Sequence, residues 1–148
     1  MKLLTIFLAF LISTPAFAGH HKEGEMSANL KSVKAAYTAF NTGNIEAWRA
    51  ELAPDVEWVM QKGMPYEGTW NGAAAIEANV FSGIDEMFAS FQVTPIAYYE
   101  SGDTVFIHVR MTAEGLDTEV MHMAKMEGGK FARFQVFENT AQMLAAAK

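Results

Sequence analysis

The sequence predicts an α+β domain, with helices in the first half of the chain and an antiparallel sheet in the second. Three observations carry that prediction. Between residues 30 and 52 the apolar side chains recur at steps of three and four, the period of a helix with one buried face. Between residues 93 and 138 they alternate with polar ones in four runs joined by glycine-bearing turns. The second half also lacks the helical crossovers that a parallel βαβ sheet requires.

Taken in order, the first 18 residues stand apart from the fold. Met1-Lys2 is a short positive start, residues 3–12 are an apolar run, and Ala16-Phe17-Ala18 has the form of a signal-peptide cleavage site. The run is too short to span a bilayer, which takes about 20 residues. Cleavage after Ala18 removes Lys2, changes the net charge from −6 to −7, and makes the mature protein periplasmic or secreted. Residues 19–27 read as a flexible polar arm, and the domain proper spans 28–148.

Leu30, Val33, Tyr37 and Phe40 make one helical stripe, stopped by Gly43. Asn44 caps a second helix whose buried face is Ile45, Trp48 and Leu52. Pro54-Asp55 turns the chain into a strand in which Val56, Trp58 and Met60 share a face. Residues 63–72 read as turns, and Asn71 is placed to cap a third helix that buries Ile76, Val80, Ile84, Met87, Phe88 and Phe91. Four strands follow, over 93–99, 104–113, 118–126 and 131–138.

Composition narrows the function classes. A chain of 148 residues with 51% hydrophobic and 12% aromatic content forms one domain with one core. The negative charge argues against a nucleic-acid surface. The absence of cysteine removes disulfides, thiol catalysis and zinc–cysteine sites, so an exported fold must hold by its core. No phosphate-binding loop or dinucleotide fingerprint is present, and no cofactor is implied.

Residues 33–44 (Val-Lys-Ala-Ala-Tyr-Thr-Ala-Phe-Asn-Thr-Gly-Asn) and 52–58 (Leu-Ala-Pro-Asp-Val-Glu-Trp) resemble the opening of SnoaL-like proteins. Tyr66-Glu67-Gly68-Thr69-Trp70-Asn71-Gly72, then Gly129-Lys130-Phe131 with Phe134, Phe137 and Thr140, continue the resemblance over about residues 28–142. These proteins belong to the nuclear transport factor 2-like superfamily, which includes ketosteroid isomerases. The resemblance implies a cone: a strongly curved antiparallel sheet, three helices packed in its concave face, and a pocket between them. It also implies a homodimer formed through the outer sheet face. Function does not follow from it, because this fold hosts enzymes and pure binding modules alike.

Alternation assigns the strand faces. Val105, Ile107, Val109 and Met111 point inward, which leaves His108 and Arg110 on the outer face. On the last strand Ala132, Phe134, Val136 and Glu138 form the inner set. A three-residue loop over 127–129 opposes His122 to Phe134 and turns it inward with Thr118, Val120 and Ala124. A two-residue loop opposes it to Gln135 instead, and a one-residue slip reverses every side chain.

Ketosteroid isomerase chemistry needs a carboxylate base and two acidic donors, a tyrosine and a protonated aspartic acid. Aligned on the resemblance, the base falls on Met60, the tyrosine on Ala36 and the aspartic acid on His122. Tyr37 lies one residue off, turned about 100° around the helix. Where many SnoaL-like chains carry an aspartate before the late Thr-Ala, this one has Asn139. Steroid isomerisation by that route is therefore excluded.

What remains is an apolar pocket walled by Tyr37, Trp58, Met60, Met111 and Phe134, suited to a hydrophobic small molecule. His122 and Glu138 are its candidate acid–base residues, since imidazole titrates near neutrality. On the register above they stand roughly 13 Å apart along the strand and contact opposite ends of a ligand. The same side chains also have a structural reading: His122 as a satisfied core histidine, Glu138 as a strand end reaching solvent, and the aromatic residues as core. A separate candidate is metal. Cleavage after Ala18 exposes Gly19-His20-His21, in which the amine, two deprotonated amides and the His21 imidazole can encircle Cu(II) or Ni(II) in a square plane. Met121, Met123 and Met126 around His122 suggest a Cu(I) site, but strand geometry turns Met121 and Met123 away from His122.

Overall fold

The structure, a computed structural model, describes residues 26–148. The proposed signal peptide, all but the last two residues of the arm, and His21 lie outside the described residues.

Helix α1 (Ala28–Asn41) starts where the Ser27 side chain accepts a hydrogen bond from the Leu30 backbone N–H. Gly43, at φ +68°, makes the turn into α2 (Ile45–Ala50), which Asn44 caps through the Ala47 N–H. Strand β1 (Leu52–Met60) begins earlier than expected. Pro54-Asp55 is not a turn but lies within the strand, at a register irregularity between Leu52 and Glu57. Residues 68–71, expected as turn, form the edge strand β2, which pairs antiparallel with β1.

The third helix is interrupted. It runs as α3 (Ala73–Ile76), a π-helical turn (Glu77–Phe81) and α4 (Ser82–Met87). Its N-cap is Gly72, not Asn71, which instead pairs with Glu57 in the sheet. Phe91 lies beyond its end, because Phe88 is already extended and Ser90 turns the chain at φ +58°.

Strands β3 (Gln92–Ser101), β4 (Thr104–Ala113), β5 (Leu116–Glu127) and β6 (Lys130–Phe137) complete a curved, open sheet of order β2-β1-β6-β5-β4-β3. All neighbouring pairs are antiparallel except β1 and β6, which run parallel, so the sheet is mixed rather than purely antiparallel. Alternation within a strand carries no information about a partner some seventy residues away, so this pairing is invisible locally. A last helix, α5 (Thr140–Ala146), is capped by Asn139 and buries Met143 completely. The asparagine at the position where an aspartate is common thus performs a capping task open to either residue.

The β5–β6 turn decides the site. It is a two-residue turn, Gly128-Gly129, both at positive φ, which pairs Glu127 with Lys130. A bulge at Ala132 then shifts the register, so that Lys125 pairs with Arg133 and His122 with Val136. His122 therefore opposes neither Phe134 nor Gln135. The turn by itself would have reversed the strand, and the bulge restores the face. Its second effect is to turn both Phe131 and Phe134 inward, three residues apart, whereas simple alternation assigned Phe131 to the outer face.

Candidate functional site

Between α1, the interrupted helix and the concave face of the sheet lies a cavity of about 70 Å³. Tyr37, Trp58, Met60, Met111, His122, Phe134 and Glu138, the residues read from the sequence, all border it. Its apolar wall is well packed. The Trp58 ring stacks on Phe134 with centroids 4.0 Å apart, and Trp48 meets Trp58 edge-on at 5.7 Å.

Two polar stations interrupt that wall. At the first, the Tyr37 hydroxyl lies 2.6 Å from His122 Nδ1. Tyr37 faces the cavity from α1, so its offset from the isomerase position does not remove it from the site. Burial raises the pKa of Tyr37 and lowers that of His122 to about 3, so the pair is a protonated phenol beside a neutral imidazole. If Nδ1 carried the imidazole proton, both the phenol hydrogen and Nε2 would lack partners. With the phenol donating to Nδ1, only the Nε2–H is unpaired, and this tautomer leaves fewer groups orphaned. His122 thus offers the cavity a neutral N–H donor.

At the second station Glu138 is 7% exposed and does not reach solvent. Its backbone N–H donates to Gln61 Oε1 at 3.0 Å. Neither carboxylate oxygen has a partner in ordinary hydrogen-bond geometry. Burial drives its pKa up to about 7, and the nearby Tyr66 hydroxyl draws it partly back. Burial and the Glu138 charge in turn raise the pKa of Tyr66. Tyr66 holds this position because α4 carries Gly83, where an added Cβ would come within 3.2 Å of the tyrosine ring. With His122 paired to Val136, Glu138 stands two residues farther along the same face, roughly 7 Å away rather than 13 Å. The bulge brings the two stations within reach of one small molecule.

Sequence reasoning assigned no role to Tyr66, Phe81 or Phe131, all of which border the cavity. Tyr66 lies in the quoted Tyr66-Glu67-Gly68 stretch, and that was its available signal. Elsewhere, His108 and Arg110 sit on the outer face and pair with Glu119 and Asp117. Among the described residues no group of three His, Asp or Glu side chains is placed to hold a metal ion. Met121 and Met123 lie on the face opposite His122.

The SnoaL-like domain family matches residues 33–134, more than half of the chain. The protein belongs to the SnoaL-like family. No curated protein matches it in sequence. Among solved structures, it is similar to a nuclear transport factor 2-like protein of unknown function from Burkholderia pseudomallei, at 29% identity and a TM-score of 0.74, over 82% of this chain and 98% of that one. TerC, co-crystallised with polyporic acid, is 26% identical with a TM-score of 0.74, over 81% of this chain and 98% of its own. A protein of ketosteroid isomerase-like fold from Catenulispora acidiphila, in complex with trimethylamine, shares the fold at 21% identity and a TM-score of 0.64, over 79% and 92% of the two chains. Among the described residues of this SnoaL-like protein, no helix is long and apolar enough to cross a membrane.

Proposed function

We propose that this SnoaL-like protein is an exported small-molecule-binding domain. Its ligand is a hydrophobic compound bearing an oxygen acceptor, which the His122 Nε2–H holds. The observation that carries this reading is the set of unpartnered buried polar atoms. Among the described residues these are Ser32 Oγ, His122 Nε2 and both Glu138 oxygens; the last three belong to side chains bordering the cavity, and of them only the Glu138 carboxyl has a polar neighbour, the Tyr66 hydroxyl. An unpaired buried polar group destabilises a fold by about 1–3 kcal/mol, so a site that retains such groups is arranged for a partner. The similarity to TerC, co-crystallised with polyporic acid, supports a ligand-binding role. Met60 at the isomerase base position argues against steroid isomerisation.

Export rests on residues 1–18, and the mature chain then begins at Gly19 in the periplasm or outside the cell. A homodimer is supported by the outer sheet face, where Phe137 is 45% exposed beside half-buried Met121 and Met123.

One observation favours a second reading, an isomerase, cyclase or hydratase type of enzyme. A carboxyl group with a pKa near 7 can give or take a proton at neutral pH, and Glu138 stands beside the donor His122. A thermal-shift screen of small ketones and of polyporic acid on wild type and His122→Phe, with turnover followed for every hit, tests both readings. Stabilisation that weakens in His122→Phe, without turnover, is the expected result. Equal stabilisation of the two proteins removes His122 from the site. Turnover that disappears in Glu138→Gln establishes the enzyme.

A further inference from the structure

The cavity is small for the ligand proposed above. At about 70 Å³ it is roughly half the size of a 150 Å³ apolar cavity that takes benzene, and far below the roughly 300–1,000 Å³ of ordinary small-molecule sites. Adjoining it lies a cleft of about 360 Å³. The two share Phe40, Phe81, Ile84 and Phe91 as walls, so one layer of side chains separates them. The cleft differs in character from the cavity, because Asp85, Ser90 and Gln92 border it with exposed polar groups.

Two features mark this partition. Phe81 closes the π-helical turn, and single π turns within helices concentrate at functional sites. Its ring touches Phe40 at 5.1 Å and Trp48 at 4.7 Å, yet remains partly exposed, which suits a side chain able to swing outward. Ser90, on the cleft wall, is the non-glycine residue held at positive φ among the described residues. Backbone strain of this kind persists where the surroundings enforce it, often beside ligand sites.

We infer that the outer cleft is a second subsite of the same ligand site, reached past Phe81. The ligand is then elongated, with a carbonyl head at His122 and a hydroxyl-bearing tail that donates to Asp85. This inference rests on the binding role proposed for the inner cavity. With the cleft included, the site enters the ordinary size range.

Two ketones that share a methyl ketone head separate the two subsites: 2-butanone, which is short, and 4-(4-hydroxyphenyl)butan-2-one, which adds a phenol tail. Dissociation constants come from NMR titration of the ¹⁵N-labelled mature protein. The long ketone should bind wild type at least tenfold more tightly, and it alone should shift the Ser90 and Gln92 amides. Asp85→Arg, a surface change, should remove that advantage while 2-butanone binding stays the same. Equal affinity of the two ketones for wild type, with 2-butanone bound, overturns the second subsite and leaves the inner site standing. Binding of neither ketone overturns both. A uniform loss for both ketones in Asp85→Arg also overturns the subsite, because a surface arginine has no route to the inner cavity except through the fold.

Discussion

His122 and Glu138 should tilt the stability of this protein in opposite directions with pH, and removing either one should expose the other. The folded imidazole has its pKa lowered from 6.5 to about 3 by burial. Below pH 6.5 the unfolded chain therefore binds a proton that the folded chain refuses, and stability falls as pH falls. The folded Glu138 carboxyl has its pKa raised from 4.5 to about 7 by burial, against a smaller opposing effect of Tyr66. Above pH 4.5 the unfolded chain releases a proton that the folded chain keeps, and stability falls as pH rises. Each slope is about 1.4 kcal/mol per pH unit. Between pH 4.5 and 6.5 they cancel, and these two groups leave the wild type nearly level. Glu138→Gln should lose roughly 3 kcal/mol on going from pH 6.5 down to 4.5, and His122→Phe should lose about as much going up. Urea unfolding at three pH values across this window measures both slopes, with surface carboxylates common to all three proteins. The slope, not the absolute stability, is the readout, so a cavity or packing strain left by either substitution does not confuse it. Parallel profiles for wild type and Glu138→Gln would refute the reasoning, because they would mean that Glu138 titrates alike in folded and unfolded chains.

Tyr37→Phe leaves His122 Nδ1 without its donor; it should destabilise the fold by about 1–3 kcal/mol, and imidazole ¹⁵N shifts should report mixed tautomers in place of one. Gly83→Ala drives a methyl against Tyr66, and the overpacking loss of about 1–3 kcal/mol should exceed the gain of up to about 1 kcal/mol in helix propensity. Carboxyl ¹³C titration of that variant should show the Glu138 pKa rising above about 7 as Tyr66 moves away. Intact-mass measurement of the exported protein should give a chain beginning at Gly19. That chain should bind one Cu(II) with square-planar nitrogen absorption, lost in His21→Ala and kept in His122→Ala.

The elements that were legible in the sequence share a physical cause. Wherever a segment buries one face over several turns or pleats, its side-chain period records that face. This is why α1, α2 and the β4 and β5 strands could be read from residues such as Val33, Trp48 and Ile107. Within β6 and the third helix, both of them anticipated, the details that escaped lie where the period breaks at one residue. At Ala132 a bulge inserts an extra residue into β6, and the π turn ending at Phe81 does the same to the third helix. Tyr66 sits in a loop where no period exists, and its place depends on an absent side chain at Gly83, seventeen residues away. These irregularities are also what build the candidate site. The bulge keeps His122 inward despite a turn that would reverse it, and together with the two-residue turn it brings His122 two residues from Glu138 along the strand instead of four. The π turn brings Phe81 to the partition between cavity and cleft. A regular sheet and a regular helix would satisfy the hydrophobic pattern equally well, yet they would not bring these polar groups to one small cavity. Periodicity therefore reports the scaffold, and the chemistry sits at its interruptions, where a single residue changes which side chains meet.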